Sequence, residues 1–253
     1  KCIYCTYPHI EGRKLRLLSP EAAAEDALRL QRVGAKYFFV TDSVFNSDVA
    51  HSMAVAEAFI KAGVKIPWGA FFAPVDPPDG YFELMARAGL THAEFGTESL
   101  CDNMLKSYEK PFRIKHVFRA HKAAIDSGLY VSHFFLLGGP GEDGDSIDET
   151  LNNIEKLTRG VFFFFPALRI YPHTDLYDMA VAEGQISASR NLLEPCFYAS
   201  KKIHQNEILR RLKTHARKRP NWVVGSGGDN TAGIVARLYE RGHSGPLWEH
   251  LIR

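Results

Sequence analysis

From Ser19 to Tyr171 one pattern repeats: apolar residues at helical spacing, a glycine, a short apolar run, then a polar loop. The first repeat opens with Ser19 as a helix N-cap and Pro20 at the first helical position. It carries Ala24, Ala27 and Leu28 on one face and stops at Gly34, a natural helix end. Tyr37–Thr41 then reads as a buried strand. Val49, Met53, Ala56 and Ile60 mark a second helix that ends at Gly63, and Ile66–Phe72 follows as a strand. Pro67 lies near its start, where a missing N–H is tolerated. Asp79 is expected to cap a third helix ending at Gly89, with His92–Gly96 as the next strand. A fourth helix from about Arg113 places Val117, Ala120 and Ala124 inward and ends at Gly128, before a strand over Tyr130–Leu137. Ser146 with Glu149 reads as a capping box for a fifth helix striped by Ile147, Leu151, Ile154 and Leu157. Val161–Ile170 is the last strand of the series.

Apolar strands separated by single helices predict parallel strands covered by helices. Repetition of one unit without a change of order favours a barrel or part of one. Five strands fall short of the eight that close a full barrel, so a partial TIM-like α/β barrel is expected. After Ile170 the pattern dissolves. Leu176–Glu183 reads as a sixth helix, Phe197–Arg217 as a long basic helix halted by Pro220, and Thr231–Arg241 as another helix after the turn Gly225–Gly228. Residues 1–190 are therefore expected to form the barrel and 191–253 a mainly helical C-terminal extension.

Composition narrows the class of partners more than the fold. The 253 residues are 45% hydrophobic and 24% charged, as in an ordinary globular protein with ample core. A net charge of +2 offers no global attraction to nucleic acid or a membrane surface. No apolar run approaches the roughly 20 residues of a membrane span. The opening residues lack the apolar stretch of a secretory signal, and four unevenly spaced cysteines are too few for a disulfide framework. The cytoplasm is the expected compartment.

In parallel α/β folds the chemistry gathers at the carboxyl ends of the strands. The segments there are Thr41-Asp42-Ser43, Pro74, Thr97-Glu98-Ser99, Gly138-Gly139-Pro140-Gly141-Glu142 and Tyr171-Pro172-His173-Thr174. Taken singly, Asp42 and Glu142 could as well cap helices, and Ser99 and Thr174 close turns. Cys2-Ile3-Tyr4-Cys5 discriminates further. A structural zinc site needs four ligands, and Cys101 and Cys196 are isolated. A thioredoxin-like pair should open a helix, yet the next helix starts near Ser19. The remaining reading is an iron–sulfur loop.

With these segments in this order, the whole chain resembles the radical S-adenosylmethionine (SAM) superfamily. Its cluster loop, C-x-x-x-C-x-aromatic-C, is matched by Cys2, Tyr4 and Cys5 within a loop of residues 1–12; the first cysteine would precede Lys1. So would the first strand, making this a partial (β/α)6 barrel that lacks it. The resemblance implies that Cys2 and Cys5 hold irons of a 4Fe–4S cluster whose open iron is chelated by SAM, and that Tyr4 packs near the adenine. Asp42 and Ser43 stand where the family has its Gly-Gly-Glu motif, with different letters, and an acceptor there would bind the methionine amino group. Gly96-Thr97-Glu98-Ser99 resembles the G-x-E-S turn, placing Glu98 and Ser99 near the ribose and methionine. Gly138 and Gly139 belong to a turn resembling G-x-PGE, and Arg169 and Tyr171 to the segment that reads the adenine edge. An electron donor such as flavodoxin or ferredoxin and a small-molecule or lipid-like substrate are further implications.

Thr6-Tyr7-Pro8-His9, Thr41–Asp48 and Leu193–Tyr198 are similar to the branch that carries a cobalamin-binding domain ahead of the barrel. Cobalamin and methyl transfer follow as suggestions of that similarity. A barrel scaffold that has lost its cluster is the alternative. His9 and His173 could face the substrate. Phe162–Phe165 is expected in the core, the basic residues of 201–218 on a solvated helix face, and Cys101 and Cys196 as ordinary thiols.

Overall fold

A computed structural model describes residues 2–225 and 228–252; Ser226 and Gly227 of the expected glycine-rich turn lie outside the described residues. Five parallel strands form in chain order where the apolar runs predict them: β1 (Phe38–Val40), β2 (Trp68–Phe72), β3 (Leu90–Glu98), β4 (Tyr130–Leu136) and β5 (Gly160–Phe165). The expected strand Val161–Ile170 is broken at Pro166. Its second part, β6 (Leu168–Arg169), leaves the sheet and pairs antiparallel with β7 (Phe197–Tyr198). That pairing also corrects the expected helix Phe197–Arg217, since Tyr198 is drawn into a strand. A sixth sheet strand, β8 (Trp222–Val224), pairs parallel with β5 and was not foreseen. Its three residues, Trp222–Val224, are too few to show a period. The order β1-β2-β3-β4-β5-β8 leaves both edges apart, so the sheet is an open, partial barrel.

The connecting helices are α1 (Tyr7–Ile10), α2 (Pro20–Arg32), α3 (Val49–Ala62), α4 (Tyr81–Arg87), α5 (Asp102–Ser107), α6 (Ile114–Asp126), α7 (Gly144–Ile154), α8 (Asp175–Ala182), α9 (Gln205–Ala216) and α10 (Gly228–Glu240). Ser19 caps α2 as expected, accepting from the Ala22 N–H at 3.2 Å. Two other caps differ. Gly80, not Asp79, precedes α4, its φ of 77° requiring the left-handed conformation that glycine takes at little cost. Asp143 rather than Ser146 caps α7: its carboxylate accepts from the Ser146 N–H and the Ser146 hydroxyl from the Asp143 N–H, both at 3.0 Å. Among the described residues no helix is long and apolar enough to cross a membrane.

Strand alternation divides the aromatic residues between two faces. Trp68, Phe72, Phe95, Phe135, Phe162 and Phe164 are buried beneath the helices, and each such side chain contributes about 1.5–3 kcal/mol. The other face is the concave interior. Its lower end is covered by a 3-10 turn, Trp248–Leu251, whose Trp248 packs on Val161 and Val223. The Trp248 indole N–H donates to Glu94 Oε1 at 2.8 Å, and Glu249 Oε2 lies 3.1 Å from His92 Nε2.

Behind the sheet, His133 stacks between Phe95 and Phe162 and joins a buried hydrogen-bond chain. The Thr158 carbonyl can only accept, so His121 Nε2 carries the proton that bonds it at 2.9 Å. His121 Nδ1 then accepts from His133 Nε2 at 2.9 Å, and His133 Nδ1 from the Thr97 hydroxyl at 2.7 Å. Both rings are neutral. Burial lowers His121 to about 4; burial and the neighbouring His121 push His133 well below its ordinary value. The unfolded imidazoles protonate near pH 6.5, so the stability these rings confer is full above that and is lost as pH falls toward 4. Glu94 and Glu142, raised to about 7 by burial, act in the opposite sense: their contribution is full below about 4.5 and is lost as pH rises through 7. The contribution of the histidines is therefore read by difference. Relative to wild type, His121→Gln should gain about 3 kcal/mol between pH 7 and pH 4, measured as urea unfolding free energies; a pH-independent difference would contradict the buried neutral pair.

Candidate functional site

The loop bearing Cys2 and Cys5 is a single turn, closed by the Cys5 N–H on the Cys2 carbonyl at 3.1 Å. Ile3, buried between the two cysteines, anchors it: its N–H donates to the Tyr108 carbonyl and its carbonyl accepts from Leu176 N–H at 2.8 Å. The apolar residue of the motif thus turns into the core while both thiols, free and half-buried, turn to a cavity of roughly 1110 Å³. Asp42 and Ser43, exposed at the end of β1, line the same cavity. Thr174 also lines it and caps α8, accepting from Tyr177 N–H at 3.2 Å while its hydroxyl donates to the Tyr171 carbonyl.

Tyr4 packs its ring edge against Tyr108, with centroids 5.9 Å apart, and lies under the Lys110 ammonium at 5.4 Å. Lys110 pairs with Glu98 at 2.9 Å, both side chains largely buried. Glu98 sits at the bulged end of β3 with φ 65°, a conformation that costs a non-glycine residue about 1 kcal/mol or more. Burial raises the Cys2 thiol, and Lys110 opposes that rise. For Lys110 burial works against the charge, but Glu98 and Cys2 more than offset it and raise its pKa. Lys110 was missed by the sequence reading; a lysine in a polar loop carries no mark of burial.

Ser99 is completely buried, sharing a hydrogen bond with Thr150 at 2.9 Å and accepting from Cys101 N–H at 3.1 Å. Its hydroxyl shapes the turn into α5 and does not border the cavity. Gly138 and Gly139 donate their N–H groups to Glu142 Oε2, so this carboxyl folds back beneath its own turn instead of facing the rim. Gly138 requires its φ of 90°, and Gly139 lies against Tyr108. Arg169 stacks its guanidinium on Tyr171 at 4.8 Å, its Nε buried with no partner among the described residues. The structure therefore brings Cys2, Cys5, Asp42 and Ser43 to one cavity, puts Tyr4 and Glu98 in a buried cluster beside it, and leaves Ser99, Gly138 and Gly139 as the turns that hold the strand ends. His9 and His173 are exposed neighbours, ring centroids 6.2 Å apart.

Two free thiols in one turn, open to a cavity, suit a thiolate-bound cluster. Among the described residues no group of three or more His, Cys, Asp or Glu forms a metal site, so these residues offer two of the three thiolates expected. Cys101 is buried, its thiol raised to about 11 by burial and Glu149.

The sequence profile described as "Radical SAM superfamily" matches residues 1–154. A cytidylyl-2-hydroxyethylphosphonate methyltransferase from Streptomyces wedmorensis is 31% identical over 157 residues, 58% of this chain and 29% of that protein. An uncharacterised methyltransferase from Pyrococcus horikoshii is 24% identical over 184 residues, 72% of this chain and 40% of its own. The chain thus spans less than half the length of these curated relatives. Among solved structures, the radical SAM methyltransferase TsrM from Kitasatospora setae, with cobalamin and a [4Fe-4S] cluster bound, matches with TM-score 0.83 at 15% identity over 99% of this chain and 56% of that one. The cobalamin-dependent radical enzyme OxsB matches with TM-score 0.71 at 14% identity, over 98% of this chain and 42% of that one.

Proposed function

The chain belongs to the radical SAM superfamily, and on that premise we propose that it is the catalytic core of an enzyme that reductively cleaves SAM and uses it to modify an organic substrate, by cobalamin-dependent methyl transfer. The observation that carries this reading is the turn Cys2–Cys5, held open to the cavity by Ile3, with Asp42 and Ser43 on the cavity wall. When bound, a 4Fe–4S cluster supplies the electron that cleaves the sulfonium of SAM to methionine and a 5′-deoxyadenosyl radical. Cys2 and Cys5 would bind two of its irons. Asp42, exposed at the end of β1, would accept hydrogen bonds from the methionine ammonium, a charge-assisted contact that fixes SAM by one end. Lys110, beside Cys2, keeps a positive charge next to the thiolates. Tyr4 and Tyr108, packed edge to face, brace the loop from below. Methyl transfer is supported by the two relatives named as methyltransferases and cobalamin by the TsrM and OxsB likeness. A reducing compartment and a flavodoxin- or ferredoxin-type donor suit an exposed thiolate-bound cluster.

The test is anaerobic reconstitution of the intact protein with iron and sulfide, followed by SAM and dithionite. The expected result is the broad visible absorption of a thiolate-bound cluster, with 5′-deoxyadenosine or S-adenosylhomocysteine formed. Cys2→Ala and Cys5→Ala should each abolish both while leaving the circular dichroism unchanged. A well-folded wild type that takes up no iron would favour the inert-scaffold alternative and overturn the proposal.

A further inference from the structure

The concave face of the barrel carries a band of phenylalanines outside the main core, of which Phe163 packs on the small Val161–Val223–Trp248 cluster. Phe71, Phe134, Phe163 and Phe165 alternate with residues packed under the helices, and so point into the interior together with Phe39. Phe39 meets Phe71 at 4.9 Å, Phe71 meets Phe134 at 6.1 Å, and Phe134 stacks on Phe163 at 5.0 Å with 13° between planes. Opposite Phe134, β3 has Gly96, so no side chain of that strand stands beside the ring there. Phe71 and Phe165 remain 37% and 38% exposed. A continuous open aromatic surface of this kind marks a binding site. Phe39, at one end of the band, also lines the cavity onto which Cys2 and Cys5 open, so the band borders that space.

The charge on this face is as informative as its shape. The six strands of the sheet contain no lysine or arginine. Below the rings lies Glu94, the register partner of Phe71 on one side and of Ser132 on the other. Trp248 occupies Glu94 Oε1; among the described residues no donor reaches the second oxygen. Ser132, completely buried, also has no hydrogen-bond partner for its hydroxyl. The band itself offers an anion no counter-charge, since Arg13, Lys14 and Arg16 line the cavity beyond Phe39; a ring with a donor would find both an aromatic platform and an acceptor.

The geometry points to a flat, uncharged aromatic ring bearing an N–H or O–H donor as the part of the substrate held in the barrel, stacked against Phe71 and Phe134 with its donor on Glu94. This names the substrate class for the site proposed above and rests on that reading for the reaction, though not for the binding.

The probes are indole, its analogue benzothiophene, which lacks the N–H, and methylphosphonate. Each is titrated by saturation-transfer NMR into the intact, reconstituted protein. Indole should bind, and more tightly than benzothiophene; methylphosphonate should give no transfer. Phe71→Ala/Phe134→Ala should weaken indole about tenfold or more. Phe71→Leu/Phe134→Leu, which keeps the apolar volume, should weaken it in the same direction and guards against a folding defect. Glu94→Gln, with its carbonyl retained by Trp248, would turn an amide N–H toward the ligand and erase indole's advantage over benzothiophene. Unchanged indole binding in both double variants, or saturable methylphosphonate binding, would overturn the inference. SAM cleavage is assayed separately. Lost cleavage with ring binding intact counts against the proposed activity alone, and intact cleavage with no ring binding counts against this inference alone.

Discussion

Gly139→Ala is expected to lower the unfolding free energy by about 3 kcal/mol, near the upper end of what overpacking usually costs. A Cβ at this position would stand 2.3 Å from Tyr108 Cε1 and 2.4 Å from its hydroxyl oxygen. Tyr108 has nowhere to retreat. It is fully buried, its hydroxyl donates to the Leu136 carbonyl at 3.0 Å, and Tyr4 packs on its ring. Gly141 in the same turn makes the control. Its φ is 86° and a Cβ there meets nothing within 4 Å, so Gly141→Ala should cost only the left-handed backbone, about 1–2 kcal/mol. Urea midpoints at constant m separate the two. The larger cost at Gly139 should come with displacement of Tyr108 and hence of Tyr4, so iron retention should fall in that variant and hold in the other. Equal costs at the two positions would mean that Tyr108 yields easily and that the loop is not braced by it.

Lys110→Met is expected to cost about 3–5 kcal/mol, the usual consequence of stranding one member of a buried ion pair. The Lys110 and Glu98 side chains are only 8% and 12% exposed, and no other cation is paired with Glu98 among the described residues. Left alone, the buried Glu98 carboxylate is an uncompensated charge in a residue already held at φ 65°. Glu98→Gln in the Lys110→Met background removes the stranded charge and should recover most of the loss, so the cycle yields a large favourable coupling. Reconstitution reads a second consequence. With the ammonium gone from beside Cys2, iron bound per chain should drop in Lys110→Met and should not return in the double variant, although stability does. A double variant that recovered both would make Lys110 a purely structural ion.

The apolar runs announced β1–β5, because burial on both faces leaves an unbroken hydrophobic signature. Phe162–Phe165 shows where that signature stops. A run of four phenylalanines reads as core, and Phe162 and Phe164 are; Phe163 and Phe165 face the concave interior, a distinction set by which face of the sheet the helices cover. The spacing of Cys2 and Cys5 singled them out as candidates, and they line one cavity with Asp42 and Ser43. Glu142 was less legible. A carboxylate after two glycines could reach outward or cap a helix; the N–H groups of Gly138 and Gly139 draw it inward. Glu94 did leave a trace, a charged residue inside an apolar strand between Ala93 and Phe95. Lys110 and β8 left none: a lysine in a polar loop carries no mark of burial, and three strand residues show no period.

The turn Trp248–Leu251 reaches Glu94 across 154 residues of sequence and covers the floor of the barrel. On the ribosome, the β1–β5 strands emerge long before that turn does, so the nascent sheet must wait with its carboxylate and His92 still bare to water. Contacts of such separation form late and slowly. The barrel's floor is thus fitted after its walls, and during synthesis the interior stays accessible from the end opposite the cluster loop until the tail arrives.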